Sequence, residues 1–375
     1  VSDADGVSAA LGCGPLVTAT ALAAEAGELA ARMESLPRAL GPVLGTALLR
    51  CQPDDFQVDE ELGFEPDGGG EHLWLWIEKR GINTEHVARD LARWAGLPQR
   101  EIGFAGLKDR HALTRQWFSV PGAARLEQAL TRIQALSWNV LVVRRHGRKL
   151  KRGALSGNRF KITLREVGVA DGELQQRLTK ASSSGVPNYF TEQRFGRDNL
   201  AAAARMLAGE RVSRDGVARG LLLSAARAAL FNVVLASRVD ASSWNQLLPG
   251  EAVQLAGSRS FFVADDGDDG LVGRLAAGDV MPTGPLWGRS GAASRDRAAQ
   301  LEVASLAPFR AFCEALERAG LEAARRPLLL RPRNMSWVST APGVYTVSFA
   351  LPAGAYATAV LREVVAYSDA SKRVE

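Results

Sequence analysis

Alternating apolar stretches occur towards both ends of the chain and are missing from its middle. Leu73, Leu75 and Ile77 alternate with Trp74 and Trp76, the pattern of a strand covered on both faces. Trp138, Val140 and Val142 recur at alternate positions, and Phe160, Ile162 and Leu164 oppose Arg159, Lys161, Thr163 and Arg165. Alternation then stops, to return at Tyr345, Val347, Phe349 and Leu351. Residues 198–238 read instead as helix, with Leu222, Ala226, Leu230 and Val234 on one stripe. A further helix is expected near 307–319. The chain is therefore expected to form one α/β (α+β) body from its two ends, with a more helical module inserted between them. The expected boundaries are an Ala-rich extension at 1–40, the first part of the body at 41–184, the inserted module at 185–338 and the last part of the body at 339–375.

Local signals fill in this frame. A helix capped by Asn83 or Thr84 carries Val87, Leu91 and Trp94 at helical spacing. Residues 101–105 read as a short strand entering a turn at Gly106, and Gln116 to Val120 as the strand that leaves it. After a turn at Pro352 to Gly354, Val360, Leu361 and Val364 suggest a closing helix.

Composition narrows the function classes. The 375 residues carry a net charge of +5, compatible with a polyanionic partner. Cys13, Cys51 and Cys313 are far apart with no CxxC spacing, so neither a disulfide framework nor a zinc site is expected, and a reducing compartment is. No apolar run approaches the roughly 20 residues that span a bilayer. The stretch Leu16 to Ala24 lacks a preceding cationic region and runs into Glu25 and Glu28, unlike a signal core. A cytoplasmic monomer without membrane or metal partners is expected.

Three charged features have bland and sharp readings. Arg144, Arg145, Arg148, Lys149, Lys151 and Arg152 form a basic run, and no carboxylate occurs between Val140 and Arg165. The run is either a solvated turn or, with Arg159 and Lys161, a surface that tracks phosphates. Asp54, Asp55, Asp59 and Glu60 read as a turn and a following strand whose acids face water or pair with nearby arginines, rather than as a nuclease-type metal site. The run Asp265 to Asp269 lacks the later glutamate of a calcium loop and reads as a surface turn. Asp109, taken alone, is a turn aspartate paired with Lys108 or Arg110; its neighbours His111, Thr114 and Gln116 can also hydrogen-bond a base or phosphate.

The motif around it changes that reading. Phe104-Ala105-Gly106-Leu107-Lys108-Asp109-Arg110-His111-Ala112-Leu113-Thr114-Arg115-Gln116 resembles the signature of the TruD family of tRNA pseudouridine synthases. Asp54 to Glu60, Gly147 to Leu150, Gly157 to Phe160, Gly185 to Phe190, Gln193 to Gly196, Leu223 to Arg227 and Leu351 to Thr358 match in the same order. Together they cover nearly all of Gly41 to Tyr367. The resemblance implies a circularly permuted pseudouridine-synthase body, tRNA as substrate with a target uridine in the D arm at position 13, and no cofactor. It implies Asp109 as the catalytic residue, Phe160 and Tyr356 beside a flipped-out uracil, and Asn158 bonded near the base or the aspartate. The cation that orients Asp109 is either Arg50, where the family often has Lys, or Lys108. Tyr356 replaces a common Phe, and Thr191 falls where a small residue is usual. The alternatives are a non-catalytic RNA-binding protein or RNA chaperone on the same fold, and a metal-dependent nuclease.

Overall fold

Pairing between strands distant in sequence builds the larger sheet of the chain. In the computed structural model of the chain, the described residues are 17–123, 137–196, 198–212, 216–258, 260–264, 269–290 and 293–373. Contacts divide the chain into two units, Leu40–Val186 with Leu330–Glu375, and Pro187–Leu329 with the residues before Leu40.

In the first unit the strands are β1 (Thr46–Leu49), β2 (Phe56–Leu62), β3 (His72–Arg80), β4 (Gly103–Phe104), β5 (Leu113–Pro121), β6 (Trp138–His146), β7 (Leu155–Leu164), β8 (Arg333–Ala341), β9 (Val344–Pro352) and β10 (Ala366–Asp369). Its helices are α1 (Thr84–Ala95), α2 (Asp171–Ser184) and α3 (Ala357–Val364). The main sheet runs β8-β9-β7-β2-β5-β3-β6, with β4 paired to β5. Only the β2–β5 pair in it is parallel among the described residues. The mixed, largely antiparallel sheet and the α/β class agree with the sequence reading. β1 and β10 form a separate parallel pair that sets Leu49 opposite Asp369.

The strand alternation has its expected cause. Leu73, Trp74, Leu75 and Ile77 are buried. Leu75, Ile77, Phe118 and Val120 pack with Val87, Ala88, Leu91 and Ala92 of α1. Trp94 stays at the margin, because the alanines fill the stripe it was expected to share. Asn83 occupies the cap position of α1 without a side-chain cap bond, and the Thr84 hydroxyl serves another contact. A second core joins Phe56, Val58, Phe160, Ile162, Phe349 and Leu351 to Val360, Leu361 and Val364 of the closing helix. Gly157 has a steric reason: a Cβ there would lie 2.4 Å from the Leu351 carbonyl oxygen, so glycine lets β7 and β9 approach where Asn158 is presented.

The second unit is the more helical. Gly216–Asp240 is its long core helix, with Leu230, Phe231, Val234 and Leu235 buried. That helix is long and apolar enough to cross a membrane by length and composition, a property the reading of apolar runs passed over, yet about two thirds of its most apolar stretch is buried within the protein. Strands Phe261–Val263, Ala252–Leu255, Val280–Leu286 and Ala324–Pro327 form an antiparallel sheet in that order. The Ala-rich N-terminal stretch supplies a helix, Ala19–Glu34, that buries Leu22, Ala26 and Leu29. Its Glu25 accepts the Ala311 and Phe312 amides at 2.9 Å each, capping the helix Arg310–Arg318. The aspartate run at 265–268 lies outside the described residues.

Candidate active site

Register places the chemistry on one face of the sheet. Directly paired residues on neighbouring strands share a face. One row reads Lys79, Thr114, Val58, Phe160 and Phe349 across β3, β5, β2, β7 and β9. The next row holds Ile77 and Gln116 on β3 and β5, then Glu60, Asn158 and Leu351 on β2, β7 and β9. The turn from β4 to β5 carries Asp109 beside these rows.

Several hydrogen bonds hold that turn. Gln116 Nε2 donates to the Gly106 carbonyl at 3.1 Å. The Thr84 hydroxyl donates to Gln116 Oε1 at 2.8 Å and accepts the Lys108 amide at 3.0 Å. Lys79 Nζ donates to the Asp109 carbonyl at 2.9 Å and to the Ile82 carbonyl at 2.8 Å. The His111 amide donates to Asp109 Oδ1 at 2.9 Å. Gln116 and Thr84 are buried and are committed to positioning the turn, rather than to a base or phosphate.

Arg50 is the cation on Asp109. Its Nη2 lies 2.8 Å from Asp109 Oδ2, with 26% of the aspartate side chain and 4% of the arginine side chain exposed. Arg50 Nη1 lies 2.6 Å from Asp369 Oδ2, and the guanidinium sits 4.1 Å from the Phe56 ring centroid. Burial pushes the Asp369 carboxyl up, but bonds from Ser371 and the Arg50 charge outweigh it, leaving Asp369 below the usual carboxylate range. Arg50 has φ 57°, a left-handed conformation that costs a non-glycine residue about 1–3 kcal/mol. Lys108 goes elsewhere: its Nζ pairs with Glu60 Oε1 at 2.8 Å, both side chains almost fully buried. Glu60 Oε2 also accepts the Trp117 amide.

The other acids pair as expected. Asp54 binds Arg80, Asp55 binds Arg165 at 2.7 Å, and Asp59 binds Arg115 at 3.0 Å. The same pairing alters the picture of β7. Arg159 meets Glu61 at 3.1 Å, so the neighbouring strand supplies the carboxylates that β7 lacks, while Lys161 remains exposed. In the basic run, Arg144, Arg148, Lys151 and Arg152 are exposed, and Arg145 and Lys149 are half-buried. Lys149 Nζ donates to the Arg100 carbonyl at 2.5 Å, and Arg152 lies 3.7 Å from the Phe104 ring centroid.

The aromatic candidates lie in the apolar core. Phe160 is 7% exposed, with ring centroids 6.2 Å from Phe56 and 5.7 Å from Phe349. Tyr356 stands at the cap of α3, half-buried against the same core. Asn158 Oδ1 is buried and accepts no hydrogen bond from a described residue, an arrangement that costs about 1–3 kcal/mol unless a donor arrives.

Lys79 is the residue that motif reading missed. Its position continues the parity of Leu75 and Ile77 onto the buried face, which was the available signal. It is 1% exposed. Burial pushes its ammonium down to about 8; the Lys108 charge adds to this, and the Asp109 charge opposes it. Between about pH 8 and 10.5 the unfolded chain therefore holds a proton on Lys79 that the folded chain has released, so folding becomes more favourable as pH rises through that window. Relative to Lys79→Met, the wild type is expected to gain on the order of 3 kcal/mol from pH 8 to 10.5, measured by urea unfolding. A flat difference across the window would refute the assignment.

A sequence model described as tRNA pseudouridine synthase D (TruD) matches residues 43–213 and 215–364. The chain belongs to the TruD family. Among curated TruD relatives, tRNA pseudouridine synthase D of Nitrosococcus oceani is 49% identical over 88% of this chain and 93% of its own. The Methylococcus capsulatus protein of the same name is 47% identical over 89% of this chain and 95% of its own. A crystal structure of a TruD-type protein from Methanosarcina mazei shares the fold, with a TM-score of 0.67 at 21% identity over 86% of this chain and 94% of that one. The Arg50–Asp109 pair and the Lys79-anchored turn thus lie within the TruD-matched segments.

Proposed function

We propose that this chain isomerises a uridine in the D arm of tRNA, at position 13, to pseudouridine, using Asp109 on a flipped-out nucleotide. Membership of the TruD family, with relatives near half identity named tRNA pseudouridine synthase D, makes it an RNA-uridine isomerase. The observation that carries the finer reading is the part-exposed Asp109 carboxylate, fixed by buried Arg50 on a turn anchored by Lys79, Thr84 and Gln116.

Asp109 acts as nucleophile or as the base that drives glycal formation. The N1–C1′ bond breaks, the uracil turns, and C5–C1′ forms. The proton leaving C5 is balanced by one gained at N1, so the product is an isomer and no redox partner is needed. The target base must leave its stack at a cost of a few kcal/mol. Tyr356 and the edge of Phe160 are assigned as its walls. The unsatisfied Asn158 oxygen is assigned to a uracil N–H. The exposed cations Arg148, Lys151, Arg152 and Lys161 are assigned to phosphates, with Arg144, Arg145, Lys149 and Arg159 as flanking contributors.

The test is incubation with total tRNA from a strain lacking this activity, followed by carbodiimide-dependent mapping of reverse-transcription stops. A new stop in the D arm is expected, and it should persist in EDTA. No stop there would overturn the substrate assignment, and EDTA-sensitive strand cleavage would favour a nuclease.

A further inference from the structure

A cavity of about 540 Å³ is lined by residues that include Phe64, Trp74 and His146 together with Arg148, Lys149 and Lys151. It shares no residue with the Asp109 cluster. Phe64 lies on the connection between β2 and β3 and is 44% exposed. Its ring packs edge-on to Trp74 at 5.9 Å and tilts 31° to His146 at 5.8 Å. The connection is docked. The Gly68 amide donates to the Arg145 carbonyl at 3.1 Å, and the Asp67 amide to His146 Nδ1 at 3.2 Å. Gly70, at φ 94°, approaches so closely that a Cβ would lie 2.5 Å from Gly147 Cα. Trp74 Nε1 donates to the Arg148 carbonyl at 3.0 Å, which fixes the basic segment against the aromatic floor. Asp67, the carboxylate lining the cavity, already accepts the Gly69 and Gly147 amides.

We propose that this cavity binds one unpaired nucleotide of the tRNA substrate, other than the uridine that is isomerised. The base stacks on Phe64, and its phosphates meet Arg148 and Lys151. The inference rests on the tRNA reading of the active site. An exposed flat ring held rigidly beside three cations suits a ligand with an aromatic face and an anionic backbone, and single-stranded nucleic acid supplies both. A base inside a duplex has both faces covered by its neighbours and offers none to Phe64.

The experiment measures binding and turnover separately. Phe64→Ala, Phe64→Leu and Phe64→Tyr are compared with wild type in filter binding to an unmodified tRNA transcript, with kcat and KM for pseudouridine formation. Phe64→Ala is expected to weaken binding roughly 5- to 150-fold. The loss should fall on KM rather than kcat, and Tyr should restore affinity where Leu, which keeps the apolar cover on Trp74, does not. A leucine variant that binds like wild type would overturn the proposal. Should wild type bind the transcript but isomerise nothing, the tRNA-isomerase reading fails while the binding comparison still decides the pocket.

Discussion

Asp109→Asn is expected to lower pseudouridine formation by roughly 10⁴-fold or more, the scale on which losing a nucleophile leaves only binding and positioning. Asparagine keeps the side-chain shape and an oxygen for the His111 amide, which lies 2.9 Å from Oδ1. It removes the negative charge that faces Arg50 at 2.8 Å and with it the nucleophile or base. Affinity for tRNA should change little, because the carboxylate lies outside the exposed basic segment. The check is a single-turnover assay on unmodified transcript beside a binding titration. Full activity in Asp109→Ala would end the mechanism, and a variant that binds but does not turn over separates it from the RNA-chaperone alternative.

Arg50→Met is the second large effect. The arginine joins Asp109 and Asp369 through two nitrogens and is almost fully buried. Removing one partner of such a group leaves charge uncompensated in the interior, a loss of about 3–5 kcal/mol. Activity should also fall, since the two carboxylates then repel and Asp109 loses its orientation. Arg50→Lys, which keeps the positive charge, should recover part of both. A single ammonium cannot match the planar fork on two carboxylates, so recovery should be incomplete. Urea midpoints and initial rates for the pair of variants check this. A methionine variant with wild-type stability and rate would show that the geometry is incidental.

These effects separate what was readable in the chain from what was not. The strands were legible because burial on one or both faces imposes period-two alternation, as Leu73 to Ile77 and Tyr345 to Leu351 illustrate. The pairing of ends was legible because the alternation disappears between them. Asp109 was legible only through its motif: an aspartate in a turn looks the same whether or not a buried arginine lies 2.8 Å away. The choice between Arg50 and Lys108 needed the third dimension, since Glu60, 48 residues away in sequence, claims Lys108. Lys79 was hidden because a lysine is normally assigned to water, although its parity placed it with Leu75 and Ile77. The bare cationic stripe expected on β7 failed for a similar reason, because Glu61 on the adjacent strand answers Arg159. The packing of the N-terminal helix was not legible, because its anchor, Glu25 on the Ala311 and Phe312 amides, is 286 residues away.

The bond between Arg50 and Asp369 spans 319 residues. A ribosome adds about 5–20 residues per second, so a nascent chain carries Arg50 for roughly 15–60 s before its second carboxylate exists. During that interval the turn bearing Asp109 can form, while the arginine that must hold it lacks Asp369 and the parallel strand that delivers it. The enzyme is thus expected to stay silent until Asp369 has been made and the strand Ala366–Asp369 docks beside Thr46–Leu49.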